Sequence, residues 1–95
     1  LGLIRATTME FDTIRPEQVI ARLQPLAKPG NAWFGSAGEL TAMALIKQGK
    51  KTEAGRLFAA IAADRQVPES IRARAVQIAG TLGVDASASM PAATQ

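Results

Sequence analysis

A chain of 95 residues, 47% hydrophobic and 20% charged, has room for one small core and no more. It contains neither Cys nor His, which excludes disulfides, thiolate and imidazole metal sites, and Ser-His or Cys-His nucleophilic pairs. Eleven Lys and Arg against eight Asp and Glu leave a net charge of +3, a mild bias on a domain of this size. Aromatics make up only 4%, with one Trp, three Phe and no Tyr, and alanine is abundant, so the composition favours packed helices over a sandwich or barrel. No apolar run approaches the ~20 residues of a membrane-spanning helix, and no signal-peptide core is present. Zero Cys is compatible with an oxidising or a reducing compartment. The chain opens inside an apolar stretch at Leu1, without an initiator Met, and reads as the C-terminal part of a longer protein.

Residues 1–9 carry Leu3, Ala6 and Met9 at helical spacing and predict a short first helix. Thr13 or Asp12 is the expected cap of the second, with Pro16 in its first turn. That helix is predicted over 16–27. Its buried stripe is Val19, Ile20, Leu23, Leu26 and Ala27, and Pro25 kinks or ends its last turn. Lys28-Pro29-Gly30-Asn31 is a turn.

A third helix is predicted from Asn31 or Ala32 to Gln48. Asn31 is its expected N-cap, Gly49 its stop, and Lys47 lies in the last turn. Trp33, Ala37, Leu40 and Ala44 form one row, with Phe34, Thr41 and Leu45 beside it. Gly35 and Gly38 mark a place where another helix backbone comes close. The fourth helix, 52–64, has the cleanest amphipathic pattern: Ala54, Leu57, Phe58, Ile61 and Ala62. Arg65-Gln66-Val67 reads as a loop. Pro68 then opens a fifth helix with Ile71, Ala75, Ile78, Ala79 and Leu82 inward, and Gly83 ends it. Residues 84–95, small and aperiodic, predict a disordered tail. Connections of about two to six residues make successive helices antiparallel.

The expected fold is therefore all-α, an antiparallel right-handed helical-hairpin stack of about five helices over residues 1–83. Leu45, Gly49, Ala54 and Phe58, with Ala42, fall at the spacing of the tetratricopeptide repeat. There a large residue precedes a turn Gly, a small residue lies where the two helices come closest, and an aromatic fills the gap between repeats. Gly38 and Thr41 depart from the repeat's usual Trp and Leu, and Pro68 falls about two residues late. Any antiparallel hairpin with Ala-mediated packing remains the alternative. The expected core is Leu3, Ile20, Leu23, Leu26, Trp33, Ala37, Leu40, Leu45, Ala54, Leu57, Phe58, Ile61, Ile71, Ala75, Ile78 and Leu82. A repeat unit cannot bury both faces alone, so the first helix should present an unpartnered apolar face and the chain should self-associate.

Longer strings follow in order: Arg22-Leu23-Gln24-Pro25-Leu26-Ala27, Pro29-Gly30-Asn31-Ala32-Trp33, Ser36-Ala37-Gly38-Glu39-Leu40, Gly49-Lys50-Lys51-Thr52-Glu53-Ala54, then Pro68 and Arg72-Ala73-Arg74-Ala75. Over residues 1–83 this resembles the C-terminal half of a bacterial tetratricopeptide-like family. Its members have one N-terminal membrane anchor and a periplasmic helical domain, and are related to the ancillary subunit of the Sec translocon. The resemblance implies a non-enzymatic scaffold with no cofactor. It would sit on the periplasmic side of the inner membrane and contact the translocon, periplasmic chaperones or exported chains. It carries over no catalytic residues.

Four residues are candidate partner contacts. Trp33 reads first as a core anchor for the turn and second as an exposed aromatic gripping a ligand. Glu39 reads first as part of a solvated face and second as a recognition contact. Arg72 and Arg74, two apart, point to roughly opposite sides of their helix. Glu10 and Asp12 read as capping groups rather than an acid–base pair. Lys47, Lys50 and Lys51 cluster at one turn, where they could meet anionic headgroups. No continuous basic stripe with stacking aromatics exists, so nucleic acid is not an expected partner. The alternatives to a scaffold are a structural dimerisation or capping module with its binding site upstream, and a small nucleic-acid-binding helical domain.

Overall fold

Proline and glycine set most of the helix ends. The computed structural model describes residues 2–84 and contains α1 (Gly2–Glu10), α2 (Pro16–Leu23), α3 (Phe34–Lys47), α4 (Lys51–Ala63) and α5 (Glu69–Thr81). The fold is all-α, with no strand among the described residues. Pro16 occupies the first position of α2, where its missing N–H costs nothing. Pro25 stops the same helix at Leu23 rather than 27, and the backbone turns back through Leu26 N–H to Leu23 O at 2.9 Å. The link to α3 therefore spans residues 24–33, longer than expected.

Gly49 and Gly83 both take positive φ, +80° and +85°, just past α3 and α5. Each permits the same closure. Lys50 N–H reaches Leu45 O and Gly49 N–H reaches Ile46 O. Val84 N–H reaches Ala79 O and Gly83 N–H reaches Gly80 O. These paired bonds satisfy carbonyls the helix would otherwise leave open. Val84, assigned from sequence to the tail, is half-buried. A Cβ on Gly55 would come within 2.6 Å of its Cγ2, so Gly55 is where α4 admits it. The rest of the expected tail, 85–95, lies outside the described residues.

Two N-terminal caps differ from expectation. Thr13 bonds back to Glu10 O, and neither it nor Asp12 caps α2. Instead Arg15 is the N-cap and its N–H donates to Gln18 Oε1 at 3.0 Å. Asn31 accepts the N–H of Trp33 on its Oδ1 at 2.8 Å, an Asx turn that delays the helix until Phe34.

Each helix packs chiefly on its chain neighbours, with α3–α4 and α4–α5 the tightest pairs and α1 the most loosely held. A three-residue link between two helices that pack along their lengths makes α3 and α4 antiparallel. Beyond neighbours, α3 also touches α1 on one side and α5 on the other. The helices thus form two layers, α1, α3 and α5 in one, α2 and α4 in the other. The molecule measures 41 × 27 × 17 Å, two helices deep in its thin direction.

The central helix, α3, serves two apolar clusters. Ala37 and Ala44 join Ile4, Val19 and Leu23 on one side. Phe34 and Ala42 join Ala54, Phe58, Ile61, Ala62, Val67, Ala75 and Ala79 on the other. A helix covered on both flanks must be apolar around most of its circumference, and α3 is. Gly35 and Gly38 do mark close approaches, but to side chains rather than to helix backbone. A Cβ at Gly35 would lie 3.1 Å from Val67 Cγ1, and one at Gly38 3.1 Å from Ile61 Cδ1. Val67, read as a loop residue, is a buried plug between α4 and α5. Thr7 is fully buried because its hydroxyl donates to Leu3 O at 2.7 Å within the same helix.

Two expected core residues are outside it. Leu3 is 41% exposed, since α1 turns Ile4 and Thr7 inward instead. Trp33 is 39% exposed, while Phe34, one residue later, is 1% exposed. The Asx turn at Asn31 leaves Trp33 as the N-cap, outside the first helical turn, and hands the inward position to Phe34.

Candidate interaction surfaces

The four residues singled out from sequence do not form one site. Glu39 on α3 and Arg74 on α5 bind each other through two bonds. Arg74 Nε donates to Glu39 Oε2 at 2.7 Å and Nη2 donates to Oε1 at 3.0 Å. Glu39 is thus paired within the molecule rather than a free charge. The fork-to-carboxylate geometry ties α5 to α3 within one layer. Arg74 stays half-exposed, so the pair contributes about 0.2–1 kcal/mol. Arg72 stands apart from this pair, partly buried, with its Nε covered and without a hydrogen-bond partner. Trp33 sits at the start of α3, a partly exposed aromatic held by the Asn31 turn.

Glu10, at the end of α1, and Asp12, in the link that follows, are also spent on structure, though not on capping. Glu10 Oε1 takes Arg22 Nη1 at 2.7 Å, which fastens the end of α1 to α2. Lys47 Nζ lies 4.3 Å from the centroid of Phe11, 3.3 Å from Phe11 O and 3.5 Å from Asp12 Oδ1. One lysine of the basic cluster is therefore clamped to the α1–α2 turn. Lys50 and Lys51 remain, at the start of α4.

Two clefts open on the surface. One, of about 470 Å³, lies at the end of the stack between the Pro29-Gly30 turn and the last turn of α4. Asp64 lines it, but its carboxylate already accepts Gln66 N–H on Oδ1 and Gly30 N–H on Oδ2. The other, of about 410 Å³, lies where α2 and α4 splay apart over the C-terminal half of α3. Ile20, Ala21 and Leu45 supply its apolar lining, and Glu17, Gln24, Gln48, Lys50 and Glu53 its polar lining.

The second cleft has the better chemistry for recognition. It joins an apolar lining to charged groups that have no ion-pair partner among the described residues. Glu17 and Glu53 enter no ion pair and no side-chain hydrogen bond among the described residues. The Oε1 of Gln48, the C-cap of α3, is buried without a hydrogen-bond partner. Sequence reasoning placed Ile20 and Leu45 in buried rows and Lys50 in a basic cluster, and assigned no role in binding to Glu17, Gln24, Gln48 or Glu53. The available signal was the i, i+4, i+7 line of Glu17, Ala21 and Gln24 on α2. That line gains meaning only once α4 is known to stand across from it.

Among the described residues, no group of three or more acidic side chains is placed to hold a metal ion. No helix there is long and apolar enough to cross a membrane. No family model, curated protein or solved structure matches the chain.

Proposed function

We propose that this chain is a non-enzymatic protein-interaction scaffold of the tetratricopeptide-like kind, which receives a partner segment in the cleft between α2 and α4. The cleft itself carries the reading: an apolar lining edged by charged groups with no ion-pair partner among the described residues. The stacking of each helix on its chain neighbours is the arrangement from which repeat scaffolds build such surfaces. Placement at the periplasmic face of a bacterial inner membrane, near the translocon or its chaperones, rests on the resemblance of the Arg22–Ala54 and Pro68–Ala75 strings alone.

A photo-crosslinking residue at Gln24, exposed on the cleft rim, tests the proposal in the natural full-length protein. Capture of translocon components, periplasmic chaperones or exported chains is the expected result. Capture of nothing from Gln24, while a crosslinker on the α3 face at Met43 captures a partner, would contradict the cleft as the working surface.

A second reading has its own observation. On α1, Leu3, Ala6 and Met9 are exposed, Met9 to 80%, so this helix offers an apolar face that no other described residue covers. That face favours a dimerisation or capping module, and capture of only the chain's own copies would support it.

A further inference from the structure

We infer that the α2–α4 cleft takes an arginine side chain, presented by an apolar segment of a partner protein. This deepens the scaffold reading and rests on it. At about 410 Å³ the cleft is an open groove with room for a long side chain. Its charge is weighted to the acid side. Two carboxylates, Glu17 and Glu53, are unpaired among the described residues, against the one ammonium of Lys50. A guanidinium is the side-chain group that answers this set: five N–H donors, no acceptor, a permanent positive charge and a planar fork that fits carboxylates. The methylenes of the arginine would lie on Ile20, Ala21 and Leu45.

The other occupants fit less well. An acidic segment would meet two carboxylates. A wholly apolar one would strip water from them and return nothing. A lysine supplies the charge, but its compact, strongly hydrated ammonium makes fewer directed bonds. Glu17 and Glu53 also lie in the first turns of α2 and α4, where the helix dipole favours anions. That placement favours the two helix starts, yet it leaves the carboxylate oxygens free to accept. Lys50, on the same cleft, is the one opposing charge, and it supplies a sign test.

The experiment is selection of a phage-displayed random dodecapeptide library on the folded 95-residue chain. Binding of the selected peptides is then compared on Glu17→Gln/Glu53→Gln and Lys50→Glu variants, with circular dichroism confirming that each variant folds. The expected peptides carry arginine between apolar residues. They weaken about tenfold or more on the double variant, strengthen severalfold on Lys50→Glu, and lose binding when citrulline replaces arginine. Selected peptides without arginine, or peptides indifferent to the Glu17→Gln/Glu53→Gln change, overturn the arginine assignment while the scaffold reading stands. A library that yields no specific binder overturns both.

Discussion

Phe34→Ala lowers the unfolding free energy by about 3–5 kcal/mol, while Trp33→Ala costs about 1–2 kcal/mol. Phe34 is 1% exposed and lies inside the cluster shared by α3, α4 and α5; its Cε1 is 3.3 Å from where a Cβ on Gly38 would stand. Removing the ring leaves a void that Gly35 and Gly38 cannot fill, because neither has a side chain to move into it. Trp33 is the larger residue, but 39% of it faces solvent and it precedes the helix. Small domains hold only about 5–15 kcal/mol of total stability, so Phe34→Ala should drop the melting temperature by well over ~10 °C. Urea titrations of both variants give the comparison. A costlier Trp33→Ala would mean that the Asn31 turn is misplaced and that Trp33, not Phe34, enters the core.

Leu23→Ala costs about 2–5 kcal/mol, and its loss is felt unevenly. Leu23 is fully buried with Ile4, Val19, Ala37 and Ala44, the cluster that holds α1 and α2 to α3. Phe58 and Ile61 belong to the other cluster, on the opposite flank of α3. Hydrogen exchange on Leu23→Ala should therefore show protection falling first in α1 and α2, with α4 and α5 retaining most of theirs. An equal loss over all five helices would mean that α3 couples its two flanks into one cooperative unit.

How much of this was legible in the sequence depended on how local each determinant is. The inward row of α4 needed only the period of Ala54, Leu57, Phe58 and Ile61, and Leu57 is half-buried while the other three are fully buried. Gly49 announced the end of α3 because the closing turn requires a positive φ. The exchange of Trp33 for Phe34 was also local. Asn31 accepts the N–H of Trp33, as an N-cap would, but regular helix begins only at Phe34, so Trp33 stands outside the first turn. Aromatic size favours the wrong residue here, because Trp is the bulkier of the two. Val67 was hidden for another reason. A short polar-flanked stretch before Pro68 reads as surface, and only the bare Cα of Gly35 across from it makes room for a buried valine.

The candidate site lay further from reach. Glu39 and Arg74 are 35 residues apart, and their pairing depends on α3 meeting α5, which periodicity does not predict. The cleft depends on α2 and α4 both packing on α3 while diverging from each other. Its members come from three helices, and several are exposed polar residues that a sequence assigns by default to solvent. Several charged residues that stood out in the sequence are paired inside the molecule. Glu10, Asp12, Glu39, Lys47 and Arg74 all enter ion pairs within the molecule. Those left without partners, Glu17 and Glu53, carry the more informative chemistry.

The central claim is that partners enter between α2 and α4. The most direct test compares partner capture from Gln24 in two variants that add the same bulk at exposed helical alanines. Ala21→Arg puts a long cationic side chain into the cleft, and Ala73→Arg puts one on α5, away from it. Both should fold as the unmodified protein does, since arginine is a good helix former and neither alanine is buried. Capture lost in Ala21→Arg and kept in Ala73→Arg is the predicted result. Equal capture in the two variants would contradict it and move the binding surface elsewhere on the stack.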